Sequence, residues 1–226
     1  MGSSADREAR CRRRLARLGL AAVFLAAALA PALGAAGEAT DQLRGSVDRI
    51  LEILRDPRLK APARTAERRA RIRQVIRNRF DFTEIARRAL ATHWAARTPQ
   101  EQRSFVAVFS DLLERSYIDK IEAYTDERIL YVGERVEGDF AEVRTKLEGK
   151  KNLDFPVDYR LLRRDGTWWV YDVIIEGVSL VGNYRTQFNK IIRTSSYPEL
   201  VKRMQAKLEG DTAEDLGVPA PTPRPR

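Results

Sequence analysis

The sequence predicts an α+β fold in which a twisted antiparallel sheet of four strands is packed on one face by several α-helices. Apolar residues recur at helical spacing from residue 41 to about 124 and again after residue 179. Between them, the period changes to the alternation of a half-buried strand. Two such layers that do not meet fully leave a cleft, so we also expect an apolar pocket between them.

The first 36 residues have the three parts of a secretory signal peptide. An arginine-rich segment precedes an uninterrupted apolar run over residues 18–30, and residues 31–36 are mostly small, as a cleavage site requires. The run is short for a transmembrane helix, which needs about 20 apolar residues. The alternative is an uncleaved N-terminal anchor. We predict a signal peptide over residues 1–36 and a periplasmic location.

Cleavage changes which chemistry the chain supports. The only cysteine, Cys11, lies in the predicted signal, so the mature chain lacks both a disulfide and a thiol nucleophile. The formal net charge falls from +9 to +5, because the segment carries six arginines and two acidic residues. The remaining charges of both signs are interspersed, whereas nucleic-acid binding needs a concentrated basic stripe. We therefore expect no nucleic-acid partner.

Four helices are predicted before the sheet, because apolar residues recur every three or four positions. The second is rich in arginine, and we expect it to present an exposed face. The fourth opens with a capping box, Thr98-Pro99-Gln100-Glu101, that places proline at the first helical position. The four helices cover residues 41–55, 62–79, 80–90 and 99–124.

Four strands follow, separated by turns that contain glycine. In the last strand Trp169, Tyr171, Val173 and Ile175 share one parity, which we expect to face the helices. Asp172 has the opposite parity and is expected on the polar face. The strands cover residues 129–136, 140–148, 153–161 and 169–175.

The sheet is followed by two further predicted helices and a tail. Their apolar spacing places the helices over residues 179–193 and 197–208. Residues 210–226 are rich in proline and are predicted to be disordered.

Few residues offer catalytic chemistry. His93 is the only histidine, which rules out Ser-His-Asp, Cys-His and His-rich metal sites. A buried carboxylate could still act as an acid or base on a cone-like α+β scaffold of the ketosteroid isomerase type, and Asp172 and Glu176 are the candidates. A structural envelope protein that docks through its basic face is a further alternative. We predict no catalytic site, no metal site and no cofactor.

Four motifs occur in order along the chain. They are F-D-F-x-x-I-A-R-x-A-L at Phe80–Leu90, followed by Trp94, T-P-x-E-x-x-x-F-x-x-x-F at Thr98–Phe109, V-D-Y-R at Val157–Arg160, and W-x-V-Y-D-V-x-x-E-G-V-S-L-V-x-N-Y-R-x-Q-F at Trp168–Phe188. In order and spacing they resemble the MlaC family, also called the toluene-tolerance (Ttg2) auxiliary family. Two positions depart from the family pattern. Ala91 lies where the family usually has glycine, and Ser196 lies near the position where a glycine usually precedes the final helix.

The resemblance implies a periplasmic phospholipid carrier whose lipid-binding domain spans residues 37–209. Such carriers move lipid between an outer-membrane lipoprotein/porin complex and an inner-membrane ABC transporter that bears an MCE-domain protein. Some relatives are associated with hopanoid lipids, so a hopanoid-type cargo is the alternative. The role requires a dry slot for acyl chains and no catalytic group, because each methylene kept from water contributes about 0.8 kcal/mol.

We expect this slot to be lined or bordered by side chains of the fourth helix, the last two strands and the helix after them. Any of the aromatic residues among them could instead belong to the core alone. Asn183 and Arg185 are expected near the headgroup or a docking surface, unless Arg185 pairs with a nearby acid. The expected lipid-binding residues are Phe109, Leu113, Tyr117, Val157, Tyr159, Trp169, Tyr171, Val173, Val181, Tyr184 and Phe188.

Overall fold

The structure is a computed structural model that describes residues 37–124, 128–148 and 155–210. In these residues an antiparallel sheet packs against α-helices, which confirms the α+β prediction. The helices are α1 (Glu38–Arg55), α2 (Thr65–Arg77), α3 (Phe82–Leu90), α4 (Pro99–Glu122), α5 (Leu180–Thr194) and α6 (Tyr197–Glu209). The strands, adjacent in chain order, are β1 (Arg128–Glu137), β2 (Phe140–Glu148), β3 (Phe155–Arg164), β4 (Thr167–Ile175) and β5 (Val178–Ser179).

The described sheet has five strands, whereas the sequence predicted four. The additional strand arises from a tight turn at Glu176 and Gly177, whose φ angles are 49° and 80°. Positive φ at both central residues is the geometry of a two-residue hairpin turn. The chain therefore reverses at once, and Ser179 pairs with Ile174 before α5 begins.

The predicted signal peptide, residues 1–36, lies outside the described residues, as does the predicted tail after Gly210. The boundaries of both segments, and of the 37–209 domain, stay predictions. Within the described residues, no helix combines the length and apolar character needed to cross a membrane.

In the part of the chain that the structure describes, the interior contains two apolar cores. The first, between α1 and the sheet, consists of Ala39, Leu43, Ala141, Val143, Leu161, Trp168 and Val170. The second is helical and joins α3, the first half of α4, α5 and α6. Three of its rings, Phe109, Tyr184 and Phe188, pack with centroids 4.9–5.4 Å apart. Aromatic contacts at these distances add to the stabilisation from burial.

Polar contacts fix α1 on the sheet at its N-terminal end. The carboxylate of Glu134 on β1 accepts hydrogen bonds from the backbone N–H and the hydroxyl of Thr40, at 2.7 and 2.6 Å. Gln42 accepts a hydrogen bond from the backbone N–H of Trp168 at 2.9 Å. These bonds satisfy groups that would otherwise be left unpaired at a helix terminus and a strand.

A β-bulge in β4 reverses the side-chain parity that the sequence predicted. Val170 pairs with Leu161 and Asp172 with Arg160, so Tyr171 is the extra residue between them. Val173 is therefore on the same face as Val170, whereas Tyr171 contacts α3 through Arg88, whose guanidinium carbon lies 4.0 Å from the ring centroid.

The prediction that the four residues share one face was thus wrong, although Tyr171 still packs against the helices as expected. Trp169 pairs with Leu162 and lies on the face opposite Val170, away from α1. Tyr171 also leaves the predicted face, while Val173 and Ile175 keep it. The simple alternation fails because the extra residue shifts the register by one.

Asp172 lies on the face opposite Val173, as predicted, but it is buried. Its carboxylate accepts hydrogen bonds from the Ser179 hydroxyl at 2.6 Å and from the Val181 backbone N–H at 3.0 Å. An acidic group at a helix N-terminus satisfies free N–H groups and favours the helix dipole. Asp172 thus joins β4 to the start of α5.

Ala91, where the family pattern has glycine, occupies a strained position. It ends α3 with φ 48° and ψ −119°, a region that disfavours a Cβ atom. We expect Ala91→Gly to raise the free energy of unfolding by about 1 kcal/mol, because the strain is relieved. Denaturant titration measures the change.

The matched control for this variant is Ala107→Gly, at an exposed position inside α4. Glycine in a helix interior should lower the free energy of unfolding by about 1 kcal/mol. Equal destabilisation by both substitutions would contradict the strain assigned to Ala91.

Candidate functional site

A cavity of about 460 Å³ lies between helices α1, α2 and α4 and one face of the sheet. Its volume falls within the range of about 300–1,000 Å³ that is usual for ligand pockets. The wall is almost entirely aliphatic and aromatic. Its apolar side chains come from Leu43, Val47, Ile50, Leu51, Leu54, Val75, Ile76, Phe80, Tyr117, Ile121, Ala123, Tyr124, Ile129, Leu147, Phe155, Val157, Tyr159 and Ile175.

A second cavity of about 230 Å³ adjoins the first and extends toward α3 and α5. Its wall includes Leu113, Ile118 and Val173, with Leu180 and Val181 at the start of α5. The two cavities share the side chains of Ile76, Phe80, Tyr117, Ile121, Tyr159 and Ile175. The shared wall makes them two lobes of one apolar site.

The position of α4 explains why this space stays open. Phe105 and Phe109 in its first half are buried in the helical core, whereas Tyr117 and Ile121 in its second half face the lobes. A helix is a rigid rod of about 1.5 Å rise per residue, so the buried half fixes the position of the other half. Leu43 similarly fixes α1 on the opposite wall.

Two tyrosines stand where the lobes meet. Burial raises the pKa of both Tyr117 and Tyr159 to about 12. Both hydroxyls are therefore neutral at ordinary pH, and the junction carries no charge from them. An uncharged wall suits an apolar occupant, because a charge without a partner is costly to desolvate.

Helix α2 closes the outer side of the site through ion pairs with α4. The predicted exposed arginine face is therefore largely engaged by acidic side chains. The ladder consists of Arg68 with Glu122, Arg69 with Asp119 and Glu122, Arg73 with Glu114, and Arg77 with Asp111 and Glu114. We call these residues the α2–α4 ion ladder.

The structure brings six of the expected lipid-binding residues to the lobes. Tyr117 and Tyr159 face both, Val157 faces the larger, and Leu113, Val173 and Val181 face the smaller. Their contact with lipid stays a prediction. Phe109, Tyr184 and Phe188 belong to the helical core and line neither lobe, and Trp169 and Tyr171 are directed elsewhere by the bulge.

The contributions of α1 and α2 to the wall were not predicted from the sequence. Val47, Ile50 and Leu54 recur on one helical face of α1, and their stripe was the signal that could have placed them in the wall. Val75 and Ile76 of α2 gave a weaker signal, because arginines surround them.

The other predicted polar residues are not gathered into a catalytic site. Asn183 and Arg185 line neither lobe, and Arg185 is exposed on α5. Asp172 borders the smaller lobe but is engaged at the start of α5, and Glu176 is exposed at a turn. Nε2 of His93 lies 3.0 Å from the Asn189 side-chain oxygen. The described residues contain no cluster of three or more potential metal ligands.

The sequence matches the family model described as "MlaC protein" over residues 44–206, well over half of the chain. The chain belongs to the MlaC protein family. A relative from Haemophilus influenzae, named "Intermembrane phospholipid transport system binding protein MlaC", is 21% identical over 143 residues. That match covers 59% of this chain and 67% of the relative.

A solved structure resembles this MlaC family member throughout most of its length. It is a phospholipid-binding protein from Ralstonia solanacearum in complex with a phospholipid, matched at a TM-score of 0.68 and 24% identity. The match covers 77% of this chain and 98% of the other. It agrees with the α+β fold described above.

The ion ladder predicts a stability that depends on pH. Burial alone would raise the pKa of Glu122, but hydrogen bonds from Arg68 and Arg69, at 2.7 and 2.9 Å, hold that pKa below its usual value. A lowered pKa stabilises the folded state above the unfolded pKa of about 4.3, and the effect is lost as pH falls through the folded pKa. We expect Glu122→Gln to lower the free energy of unfolding by about 2 kcal/mol at pH 7.

Denaturant titrations from pH 7 to 3 test this expectation. The difference between Glu122→Gln and the parent should shrink below about pH 5, because the parent's carboxylate becomes protonated. The control is Glu52→Gln, at an exposed position of α1 that forms no ion pair with another described residue. A difference that stays constant down to pH 3 would contradict the role assigned to Glu122.

Proposed function

We propose that this protein is a lipid carrier that holds the acyl chains of a phospholipid in the two lobes. The observation that carries the proposal is the apolar wall: among the described residues around the larger lobe, only Arg79, Lys120 and Glu176 are charged. A tail of about fifteen methylenes gains roughly 12 kcal/mol when it leaves water. A wall of this composition gives such a tail an apolar environment away from water.

Family membership and the predicted export signal support a cellular role for this carrier. The carrier would work in the periplasm and shuttle lipid between an outer-membrane lipoprotein/porin complex and an inner-membrane ABC transporter with an MCE-domain protein. One relative is named for phospholipid transport and the other was solved in complex with a phospholipid, which supports phospholipid over a hopanoid-type cargo.

The arrangement of the carboxylates gives no support to the enzyme alternative. A general acid or base needs a carboxylate aimed into the pocket with its proton free to transfer. Asp172 accepts hydrogen bonds from Ser179 and Val181, and Glu176 is exposed. Asp172 is therefore already engaged, and Glu176, beside the larger lobe but exposed to solvent, is not desolvated as a tuned acid or base would be.

Lipid extraction tests the proposal directly. Protein purified without detergent should release stoichiometric phospholipid into organic solvent, as identified by mass spectrometry, which also distinguishes hopanoids. Protein that is lipid-free and exchanges no labelled lipid between vesicles would refute the carrier function.

A cavity-filling variant locates the lipid. Ile121 lies on α4 and faces both lobes, so Ile121→Trp should occupy space that a tail requires. We expect bound lipid to fall about tenfold without loss of stability, because the added ring fills an existing void. Mass spectrometry and thermal unfolding measure the two effects.

The matched control places the same side chain on β1, where Val132 is 56% exposed. Val132→Trp should leave lipid occupancy unchanged. Normal occupancy in a folded Ile121→Trp variant would exclude these lobes as the tail site.

A further inference from the structure

Of the three charged side chains that the structure describes around the larger lobe, Arg79 forms three hydrogen bonds within the protein. Its guanidinium donates to the Ser46 hydroxyl at 2.9 Å, to Gln42 at 3.0 Å and to the Trp168 carbonyl at 2.6 Å. These bonds tie the segment after α2 to α1 and β4. Arg79 therefore has a structural role that leaves it poorly placed to hold a ligand.

Lys120 and Glu176 are different, because both are exposed while they line the same lobe. Each lies at a point of the lining that is open to solvent. Neither side chain forms an ion pair or hydrogen bond with another described residue. The Lys120 ammonium lies 5.1 Å from the ring centroid of Tyr117, a weak cation–π contact that keeps the amine close to the wall.

The backbone conformation of Glu176 belongs to the hairpin turn between β4 and β5. Its φ of 49° is unfavourable for a residue with a Cβ atom, and glycine would relieve the strain. The turn leaves the Glu176 carboxylate exposed beside the larger lobe, opposite in sign to the amine that α4 contributes.

We propose that Lys120 and Glu176 form a headgroup site for a zwitterionic aminophospholipid. Lys120 pairs with the phosphate, and Glu176 accepts hydrogen bonds from the primary amine. The proposal rests on the proposed function, because the tails must occupy the lobe to bring the headgroup to its rim. A glycerol headgroup offers no cation to Glu176, and a quaternary amine offers no N–H donor.

Competition between headgroups tests this site. Delipidated protein is incubated with limiting vesicles of equimolar phosphatidylethanolamine and phosphatidylglycerol with identical acyl chains, and the bound lipid is quantified by mass spectrometry. We expect the parent to favour phosphatidylethanolamine. Glu176→Gln should lower the ratio of the two bound lipids about threefold, as expected for a solvated charge pair.

Lys120→Gln should instead lower the occupancy of both lipids about threefold, because both contain a phosphate. The matched controls are Lys202→Gln and Glu209→Gln, exposed positions on α6 that line neither lobe. Both controls should match the parent in total lipid and in lipid ratio. Thermal unfolding verifies that every variant is folded.

The outcomes separate this site from the carrier function. An unchanged lipid ratio in Glu176→Gln, with normal total lipid, overturns the headgroup site and leaves the carrier intact. A parent that takes up no lipid overturns the carrier function itself. Glycerophosphoethanolamine, which has the headgroup without tails, should not displace lipid. Displacement at equal concentration would show a site for soluble phosphates and would overturn the proposal.

Discussion

The structure depends on two apolar cores that hold the walls of one cavity apart. Apolar surfaces in water tend to close on each other, and an open apolar space forgoes the contacts that filling it would provide. Here the walls cannot approach, because Phe109 fixes one half of α4 in the helical core and Leu43 fixes α1 on the sheet. The unfilled space is therefore a product of packing elsewhere, and the stability of those cores is what sustains it.

The fold was largely predictable because its elements are strongly periodic. The capping box predicts the start of helix α4, and the alternation of apolar and polar residues predicts the strands. The sequence did not reveal the bulge at Tyr171, since an extra residue leaves no local mark when both neighbours are apolar. It also missed β5, because a strand of two residues, Val178–Ser179, has no detectable period.

The candidate site was only half predictable. Residue type indicates an apolar environment, but it does not distinguish a side chain that fills a core from one that borders an empty space. Tyr117 and Tyr184 show the difficulty, because both are aromatic residues on apolar helical faces. The first faces the lobes and the second is fully buried among rings. Only the distance between elements, a long-range property, separates the two cases.

The α2–α4 ion ladder closes one wall of the two lobes through charged contacts, whereas the other walls consist mainly of apolar contacts. Separating two apolar surfaces costs about 25 cal/mol for each Å² exposed, and salt does not diminish that cost. Exposed ion pairs such as Arg77 with Asp111 are replaced by contacts with water and dissolved ions at far lower cost. Dissolved salt also screens the attraction between their charges, over a length of about 8 Å at physiological ionic strength. The seam between α2 and α4 is consequently the boundary that responds to electrolyte. The ionic strength of the medium thus acts on this wall more than on the walls that apolar packing holds together.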